Sequence, residues 1–464
     1  MATDARALPL ADGSSVTRGE TLRQLPGKRD VFAGTWKGRA VIAKVFLDSR
    51  RGAVHAQREA DGLMAFHAGG IAAPTILYRG MDQHNNPVIL LQRIQPAESL
   101  AHGWALADAD RRQVLLAQMM DVLVRQHEAG VCQTDLHLDN FLLSGGTIYS
   151  LDGAAVESQT QPLGQARSLE NLALFFSQLL PEHDVSGVET ARLYADRRGW
   201  PHDLIDRELP GLIRSQRLGR WLNLRPKLYR ECSAIVHRQS AAGEYFAART
   251  MDEALQQLAL DPDATCPGEP GRLLKNGNTA TVWRTRLDEM PVVVKRYNIK
   301  NRRHALKLAG RQSRASISWS NAHMLKLFGI ATPRPLALVY RRKTALARVS
   351  YFIAEAVPGP DLRAWIDSHG DDAAAIDGIA AEVATLLRRL HALCITHGDM
   401  KATNIIVHDG MLYLIDLDAM RRHRSIRRFR RAWRRDMQRF LANWSSQPAV
   451  LASMRAHIGV LADE

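Results

Sequence analysis

The sequence predicts an α+β protein made of two tandem modules, each with a small β-rich N-terminal lobe and a mostly helical C-terminal lobe. The first observation is a 22-residue segment, Gln133 to Ala154, that recurs as His397 to Asp418 at an offset of 264 positions. The second is a strand–turn–strand pattern ahead of each copy. The third is a helical pattern of apolar residues that precedes each copy in the same register.

The repeated segment carries the same three polar residues in each copy. At the offset of 264 they superimpose as Asp135 on Asp399, Asn140 on Asn404 and Asp152 on Asp416. A loop would present the first acid and the amide, and a short hairpin would return the second acid to the same point. Such a site suits phosphoryl transfer, in which one carboxylate accepts a proton while an amide and a carboxylate bind magnesium. A chance loop and turn is the alternative, since Asp and Asn are common turn residues, and the shared register argues against it.

The first module begins with residues 31–46, which we predict to form two strands joined by a turn. Lys44 lies among apolar residues of the second strand, where a lysine is either an outward edge residue or a buried cation that binds nucleotide phosphates. The next segment predicts a helix that carries Glu59 and ends at Gly69 and Gly70. A strand lysine followed by a helix glutamate forms an ion pair in some phosphoryl-transfer enzymes, and a solvated glutamate is the alternative.

The second module repeats this lobe with one departure. Residues 275–297 predict a strand, a turn and a strand, and they place Lys295 where Lys44 stands. In the following helix, Ser320 or Asn321 falls at the position of the glutamate, so the ion-pair partner of Lys295 is missing or comes from elsewhere. Neither module has a G-x-G-x-x-G phosphate-binding loop.

A helix is predicted before the first loop, from Gln113 to Ala129. Its apolar face comprises Leu115, Met119, Val122 and Leu123. His127 lies near its end, and His391 lies at the same place in the second module, each eight residues before the loop acid. We interpret both histidines as packing residues rather than catalysts.

The composition is that of a globular protein with an anionic partner. Hydrophobic residues make up 46% and the mean hydropathy is −0.22, and no apolar run approaches the ~20 residues of a membrane span. The N-terminus lacks a secretory signal pattern, so export is not expected. Four cysteines without paired spacing predict neither a disulfide framework nor a zinc site. A net charge of +14 implies nucleic acid, an acidic membrane or a phosphorylated substrate as partner.

A Pro/Gly-rich stretch predicts the division of the chain. We expect a first domain at 1–260, a linker at 261–272 and a second domain at 273–464. The basic stretch 214–232 interleaves Trp221 and Tyr229, and a nucleic-acid face, a solvated helix pair or a lipid patch all fit it.

A second basic stretch lies near the C-terminus. Between Met420 and Arg439 the chain has ten arginines and one aspartate. Ile426, Phe429 and Trp433 are spaced three and four residues apart, which predicts a basic amphipathic helix.

The lysine, glutamate, aspartate and asparagine positions of the two modules resemble the protein-kinase-like fold. More narrowly, the phrases TDLHLDNFLL, KLYREC, GIATPRPLAL and HGDMKATNII resemble the lipopolysaccharide kinase family, bacterial enzymes that phosphorylate heptose or Kdo sugars of the lipopolysaccharide inner core. The resemblance covers nearly the whole chain as two tandem modules. Its loop motifs are specific for a phosphotransferase, whereas the sugar substrate depends on family likeness alone.

The resemblance implies a role for each candidate residue. The bases toward a sugar hydroxyl would be Asp135 and Asp399. The magnesium ligands would be Asn140, Asp152, Asn404 and Asp416. The groups that orient ATP would be Lys44, paired with Glu59, and Lys295, with His137 and Lys401 near the transferring phosphate.

The resemblance also implies cofactors, partners and location. We expect ATP and Mg²⁺ as cofactors, the lipid-linked core oligosaccharide as substrate, an anionic membrane surface as partner, and a cytoplasmic location on the inner face of the inner membrane. No nucleic-acid partner is expected, and the oligomeric state stays open. The alternatives are a kinase for a protein or small molecule, a regulatory pseudokinase with one degenerate module and, from charge alone, a nucleic-acid binder.

Overall fold

The computed structural model describes residues 7–266, 273–298, 312–342 and 348–462. It confirms the α+β class and divides the chain into two compact units. The first unit comprises residues 1–179 and 183–217, and the second comprises residues 180–182 and 218–464. Within the described ranges, no helix combines the length and apolar character needed to cross a membrane.

The first unit contains a six-stranded antiparallel sheet with strand order β1-β2-β3-β4-β6-β5. Its strands are β1 (Ala7–Pro9), β2 (Ser15–Leu25), β3 (Arg29–Trp36), β4 (Arg39–Phe46), β5 (Ile76–Met81) and β6 (Pro87–Gln92). The predicted turn between β3 and β4 is confirmed: Lys37 and Gly38 have φ values of 49° and 75°, as a two-residue hairpin turn requires.

Helices and short strands complete the first unit. The helices are α1 (Gly52–Ala68), α2 (Leu100–Leu106), α3 (Ala109–Glu128), α4 (Gln165–Phe176), α5 (Asp184–Arg198) and α6 (His202–Leu224), the last of which continues into the second unit. The short strands are β7 (Glu98–Ser99), β8 (Val131–Gln133), β9 (Phe141–Ser144), β10 (Thr147–Ser150) and β11 (Val156–Ser158). Helix α1 ends at Gly69, as predicted, and α3 buries Leu115, Met119 and Leu123 on the predicted face.

The second unit contains a seven-stranded sheet with strand order β12-β13-β17-β18-β16-β15-β14. Its strands are β12 (Ile235–Ser240), β13 (Gly243–Ala248), β14 (Leu273–Asn276), β15 (Ala280–Leu287), β16 (Met290–Tyr297), β17 (Pro335–Arg342) and β18 (Arg348–Glu355). The helices described are α7 (Asp252–Leu260), α8 (Arg314–Leu327), α9 (Leu362–Ser368), α10 (Ala373–Ala392), α11 (Ile426–Ala442) and α12 (Pro448–Ile458). Short strands β19 (Ile395–Thr396), β20 (Ile405–His408), β21 (Met411–Leu414) and β22 (Arg421–Arg422) surround the second loop.

The division of the chain differs from the predicted one. The β12–β13 hairpin lies before the predicted linker, yet β13 pairs with β17, so this hairpin belongs to the second unit. A pairing between residues about 90 positions apart leaves no local signal, whereas the Pro/Gly-rich composition does. Part of the predicted linker, residues 267–272, lies outside the described residues.

The aromatic residues of the two basic stretches are structural. Trp221 is buried, and the Tyr229 hydroxyl donates to the Ser316 carbonyl at 3.1 Å. Helix α11 is amphipathic as predicted, with Phe429 and Trp433 buried in the second unit, although Ile426 at its first position is exposed. These aromatic rings pack in or against the core of the second unit, with Tyr229 only partly buried. The arginines of α11 lie on its exposed face.

Candidate active site

The first loop is closed by hydrogen bonds that fix its three polar residues. Residues Leu138–Asn140 form a single 3₁₀ turn, and the Asn140 side-chain amide donates to the Asp135 carbonyl at 2.9 Å. The Leu151 amide donates to the Asn140 carbonyl at 2.8 Å, which brings the following residue, Asp152, back to the loop. Asp152 has a left-handed backbone with φ of 59°, a conformation that Asp tolerates better than most residues.

Asn140 and Asp152 line one cleft together with Lys44. This cleft has a volume of about 840 Å³ and lies between the sheet and the loop of the first unit. The Oδ1 atom of Asp152 is buried and has no hydrogen-bond partner among the described residues. An unpaired carboxylate oxygen beside an amide suits a hard cation such as Mg²⁺, so the residues fit a bound metal–nucleotide complex.

Lys44 forms an ion pair with Glu59. The Lys44 Nζ atom lies 2.5 Å from Glu59 Oε1, and the Glu59 side chain is 0% exposed. The second oxygen, Oε2, has no hydrogen-bond partner in the part of the chain that the structure describes. A buried carboxylate persists when a cation compensates it, so the structure brings the predicted lysine and glutamate together beneath the cleft.

Helix α1 approaches the turn after Asp152 very closely. A Cβ atom built on Gly62 would lie 2.0 Å from the Gly153 carbonyl oxygen, and one on Gly153 would lie 2.2 Å from the Glu59 carbonyl oxygen. Both positions therefore require glycine. This backbone-to-backbone contact sets the distance from α1 to the loop, and with it the position of Glu59.

Basic residues that the sequence analysis did not single out also line the cleft: Arg23, Arg29 and Arg93. Arg23 and Arg29 flank the turn between β2 and β3. A guanidinium binds phosphate oxygens through paired N–H donors. The sequence signal for these phosphate-binding candidates was the basic character of this hairpin, which a search for a glycine motif alone does not detect.

Asp135 points away from the closed part of the loop. Its side chain is 50% exposed, and His137 Nε2 lies 3.4 Å from its Oδ1 atom. The other described side chains make no ion pair with it. An exposed carboxylate at the edge of the loop is accessible to a hydroxyl group from solution.

Buried side chains brace the first loop from behind. Gln133 donates to the Leu151 carbonyl at 3.0 Å, and Asn171 donates to the Gln133 carbonyl at 2.9 Å. His127 bonds to Asn171 and to Tyr194, both at 2.9 Å. Burial lowers the pKa of His127 to about 4, so it is neutral in the folded protein and acts as a packing residue.

The second loop repeats the hydrogen bonds of the first. The Asn404 side chain donates to the Asp399 carbonyl at 2.8 Å, and the Ile415 amide donates to the Asn404 carbonyl at 3.0 Å. Asp416 is left-handed with φ of 58°. His397 takes the place of the bracing glutamine, with Nε2 2.9 Å from the Ile415 carbonyl oxygen.

The partner of Lys295 comes from the loop rather than from the helix. Lys295 Nζ is hydrogen-bonded to Asp416 and lies 3.1 Å from Asp418 Oδ2. Arg314 also binds Asp418, at 2.8 Å. The carboxylate partner of Lys295 therefore comes from elsewhere, as one of the two alternatives predicted. Asp418 lies 123 residues from Lys295, so the pattern of the following helix could not indicate it.

Asp399 is surrounded by cations. Lys401 Nζ lies 3.0 Å from Asp399 Oδ1, and Arg439 of α11 lies 3.3 Å from the same atom. Arg439 also donates to the Gly398 carbonyl at 2.7 Å, while Asp436 accepts from the Gly398 amide at 2.9 Å. The second loop acid thus has a lysine and an arginine beside it, whereas the first has the His137 imidazole alone among the described residues.

The described residues contain no group of three or more His, Cys, Asp or Glu side chains arranged to bind a metal. The two loops place one carboxylate and one amide side by side in each unit, Asp152 with Asn140 and Asp416 with Asn404. Magnesium commonly takes one or two protein oxygens and completes its shell with water and phosphate oxygens. Sites of this small size therefore suit magnesium carried by a nucleotide rather than a metal held by the protein alone.

A family described as "Lipopolysaccharide kinase (Kdo/WaaP) family" matches residues 14–154 and 292–452, well over half of the chain. A solved structure described as WaaP in complex with acyl carrier protein is 18% identical, with a TM-score of 0.34, covering 44% of this chain and 87% of that chain. Vaccinia related kinase 3 is 12% identical, with a TM-score of 0.25, covering 34% of this chain and 53% of that chain. No curated protein sequence gives a significant match. Each matched range contains one candidate strand lysine, Lys44 or Lys295, and one complete loop.

Proposed function

Because the chain belongs to the lipopolysaccharide kinase (Kdo/WaaP) family, we propose that it is an ATP-dependent kinase that phosphorylates a sugar hydroxyl, of heptose or Kdo, in the lipid-linked lipopolysaccharide inner core. One observation carries the proposal. Lys44, Asn140 and the unpaired Asp152 oxygen line a single cleft of about 840 Å³, large enough for a nucleotide.

The residues of the first unit divide the chemistry among them. Asn140 and Asp152 would hold Mg²⁺, which when bound neutralises charge on the nucleotide phosphates. Lys44, fixed by Glu59, orients the phosphates from the sheet side. Asp135 accepts the proton of the attacking sugar hydroxyl, and its 50% exposed side chain leaves room for a large acceptor.

The arginine face of α11 supports an anionic partner. The arginines are exposed on one side of the helix, and Phe429 and Trp433 anchor the other side in the second unit. A core oligosaccharide bears phosphates and acid sugars, and it is attached to a lipid in an acidic membrane. The face suits either, which supports the proposal that the protein associates with the inner face of the inner membrane.

Mass spectrometry of core oligosaccharide tests the proposal. Core from a strain that lacks the protein should be missing one phosphate group, and expression of the wild-type chain should restore it. Expression of the chain with both Asp135→Asn and Asp399→Asn should not restore it. An unchanged core in the deficient strain would refute the assignment of substrate.

A second candidate function is a kinase whose second unit is regulatory. The bond from Lys295 to Asp416 and the cations around Asp399 favour it, because both acids needed for transfer are already paired. In that case nucleotide would bind the second unit without transfer. Asp399→Asn would then leave phosphate transfer by the first unit intact.

A further inference from the structure

The two units differ two positions after the acid of the proposed metal site, which is Asp152 in the first unit and Asp416 in the second. Alignment at the offset of 264 places Asp418 on Ala154 and Leu417 on Gly153. In the first unit Gly153 lets the backbone of α1 approach closely, and α1 supplies Glu59. In the second unit Leu417 has a buried side chain, so the backbone of α8 cannot lie equally close to the turn.

Helix α8 contacts the turn with an amide instead of a carboxylate. The Asn321 side chain donates to the Leu417 carbonyl at 2.9 Å and to the Met420 carbonyl at 3.0 Å. These two bonds span the turn that carries Asp418. The helix therefore holds the turn in place, and the turn supplies the carboxylate for the lysine.

The environment of Asp418 is that of a built charge cluster. Its side chain is only 7% exposed and binds both Lys295 and Arg314. Tyr297 packs beneath the two cations, with each charged group 5.1 Å from the ring centre.

We propose that Asp418 is the positioning residue for Lys295, the counterpart of Glu59, and that it keeps the second unit able to bind the phosphates of a nucleoside triphosphate. The inference depends on the proposed function. Two carboxylates contact the lysine, so one can turn to a magnesium–phosphate complex while the other keeps the ammonium in place. Asp416 is the half-exposed member and Asp418 the buried one, which assigns the holding role to Asp418.

Nucleotide binding to the second unit is measured in a chain whose first site is disabled. Lys44→Met with Glu59→Gln removes the cation and the carboxylate of the first site together. Equilibrium dialysis with magnesium and a non-hydrolysable ATP analogue should then find one site per chain. In that background Asp418→Asn should weaken the affinity about tenfold or more, since Asp418 is the carboxylate that stays on the Lys295 ammonium when Asp416 turns to the magnesium complex. Asp409→Asn, in an exposed turn, is the matched control and should bind like its parent.

Adenosine separates positioning from folding. Asp418 acts on phosphates through Lys295, so Asp418→Asn should leave adenosine affinity unchanged, and Asp418→Glu should recover part of the analogue affinity. Equal analogue affinity with and without Asp418→Asn would overturn the inference. The inference would also be overturned if the chain with Lys44→Met and Glu59→Gln bound no nucleotide while the wild type still bound nucleotide and transferred phosphate. If the wild type binds no nucleotide at all, the proposed function itself fails.

Transfer of the carboxylate to the first unit tests the same idea without a substitution at Asp418. In a Lys295→Met background, Glu59→Gln should weaken binding of the analogue to the first unit. Adding Ala154→Asp should restore part of that affinity, because it places an acid two residues after Asp152. No recovery in a folded chain, as judged by circular dichroism, would contradict the equivalence of the two carboxylates.

Discussion

The ion pair between Lys44 and Glu59 predicts that substitutions affect the stability of the first unit and its nucleotide binding in different ways. Glu59→Gln leaves the Lys44 ammonium without its buried partner, and breaking a buried pair costs 3–5 kcal/mol as a rule. Lys44 is 14% exposed and faces the cleft, so we expect the low end, about 3 kcal/mol. For a unit of this size that lowers the midpoint of thermal unfolding by roughly 6–12 °C.

The double variant Lys44→Met with Glu59→Leu should be nearly as stable as the wild type. Two apolar side chains of similar volume replace the pair, and such replacements are close to neutral for stability. Binding should not recover, because the phosphate-orienting cation is gone. The single and double variants should therefore diverge in stability and agree in their lack of nucleotide binding to the first unit.

Scanning calorimetry of the full chain measures the stability, and hydrogen exchange of the peptides from β4 and α1 assigns the transition to the first unit. Asp61→Asn, an exposed acid on the same helix, is the matched control and should change nothing. An unchanged midpoint for Glu59→Gln would mean that the pair is not buried and stabilising. A double variant as unstable as the single one would mean that Glu59 acts through a contact other than Lys44.

Three further predictions concern the metal site, the basic helix and pH. Asp152→Ala with Asp416→Ala should abolish magnesium-dependent nucleotide binding, and undiminished binding would remove both acids from the metal site. Neutralising four exposed arginines of α11 should weaken binding to acidic liposomes by about 1 kcal/mol each, with less effect in high salt. The four are Arg427, Arg428, Arg430 and Arg431. Binding that ignores both salt and these arginines would make α11 purely structural. Neutral His127 contributes fully to the stability of the first unit above its unfolded pKa of 6.5. As the pH falls towards its folded pKa of about 4, this contribution of about 3 kcal/mol is lost. In urea titrations, His127→Gln should therefore make the free energy of unfolding depend less steeply on pH.

The loop acids and amides were predictable because each loop is local in sequence. Asp135, Asn140 and Asp152 lie within 18 residues, and hydrogen bonds inside that segment position them. Lys44 and Glu59 were predictable for the same reason, since one strand and the next helix carry them. Local pattern therefore accounts for most of the first site.

The partners of the second site were not predictable in this way. Lys295 meets Asp418 across 123 residues, and Arg439 reaches Asp399 across 40. Both contacts depend on how closely a helix packs on a turn. At Gly153 and Leu417, this distance is set by the absence or presence of a Cβ atom in the turn. Packing distances of this kind arise from the tertiary fold.

Phosphate transfer to purified core acceptor, with Asp135→Asn and Asp399→Asn tested singly and together, is the most direct test of the kinase assignment. General base catalysis contributes about 10²- to 10⁴-fold to rate. Asp135 has no lysine or arginine partner among the described residues. Asp135→Asn should therefore cause most of such a loss, Asp399→Asn should retain most of the activity, and the double variant should be inactive, all with unchanged circular dichroism. Transfer at the wild-type rate by the double variant would contradict the account, because no loop acid would then act as the base.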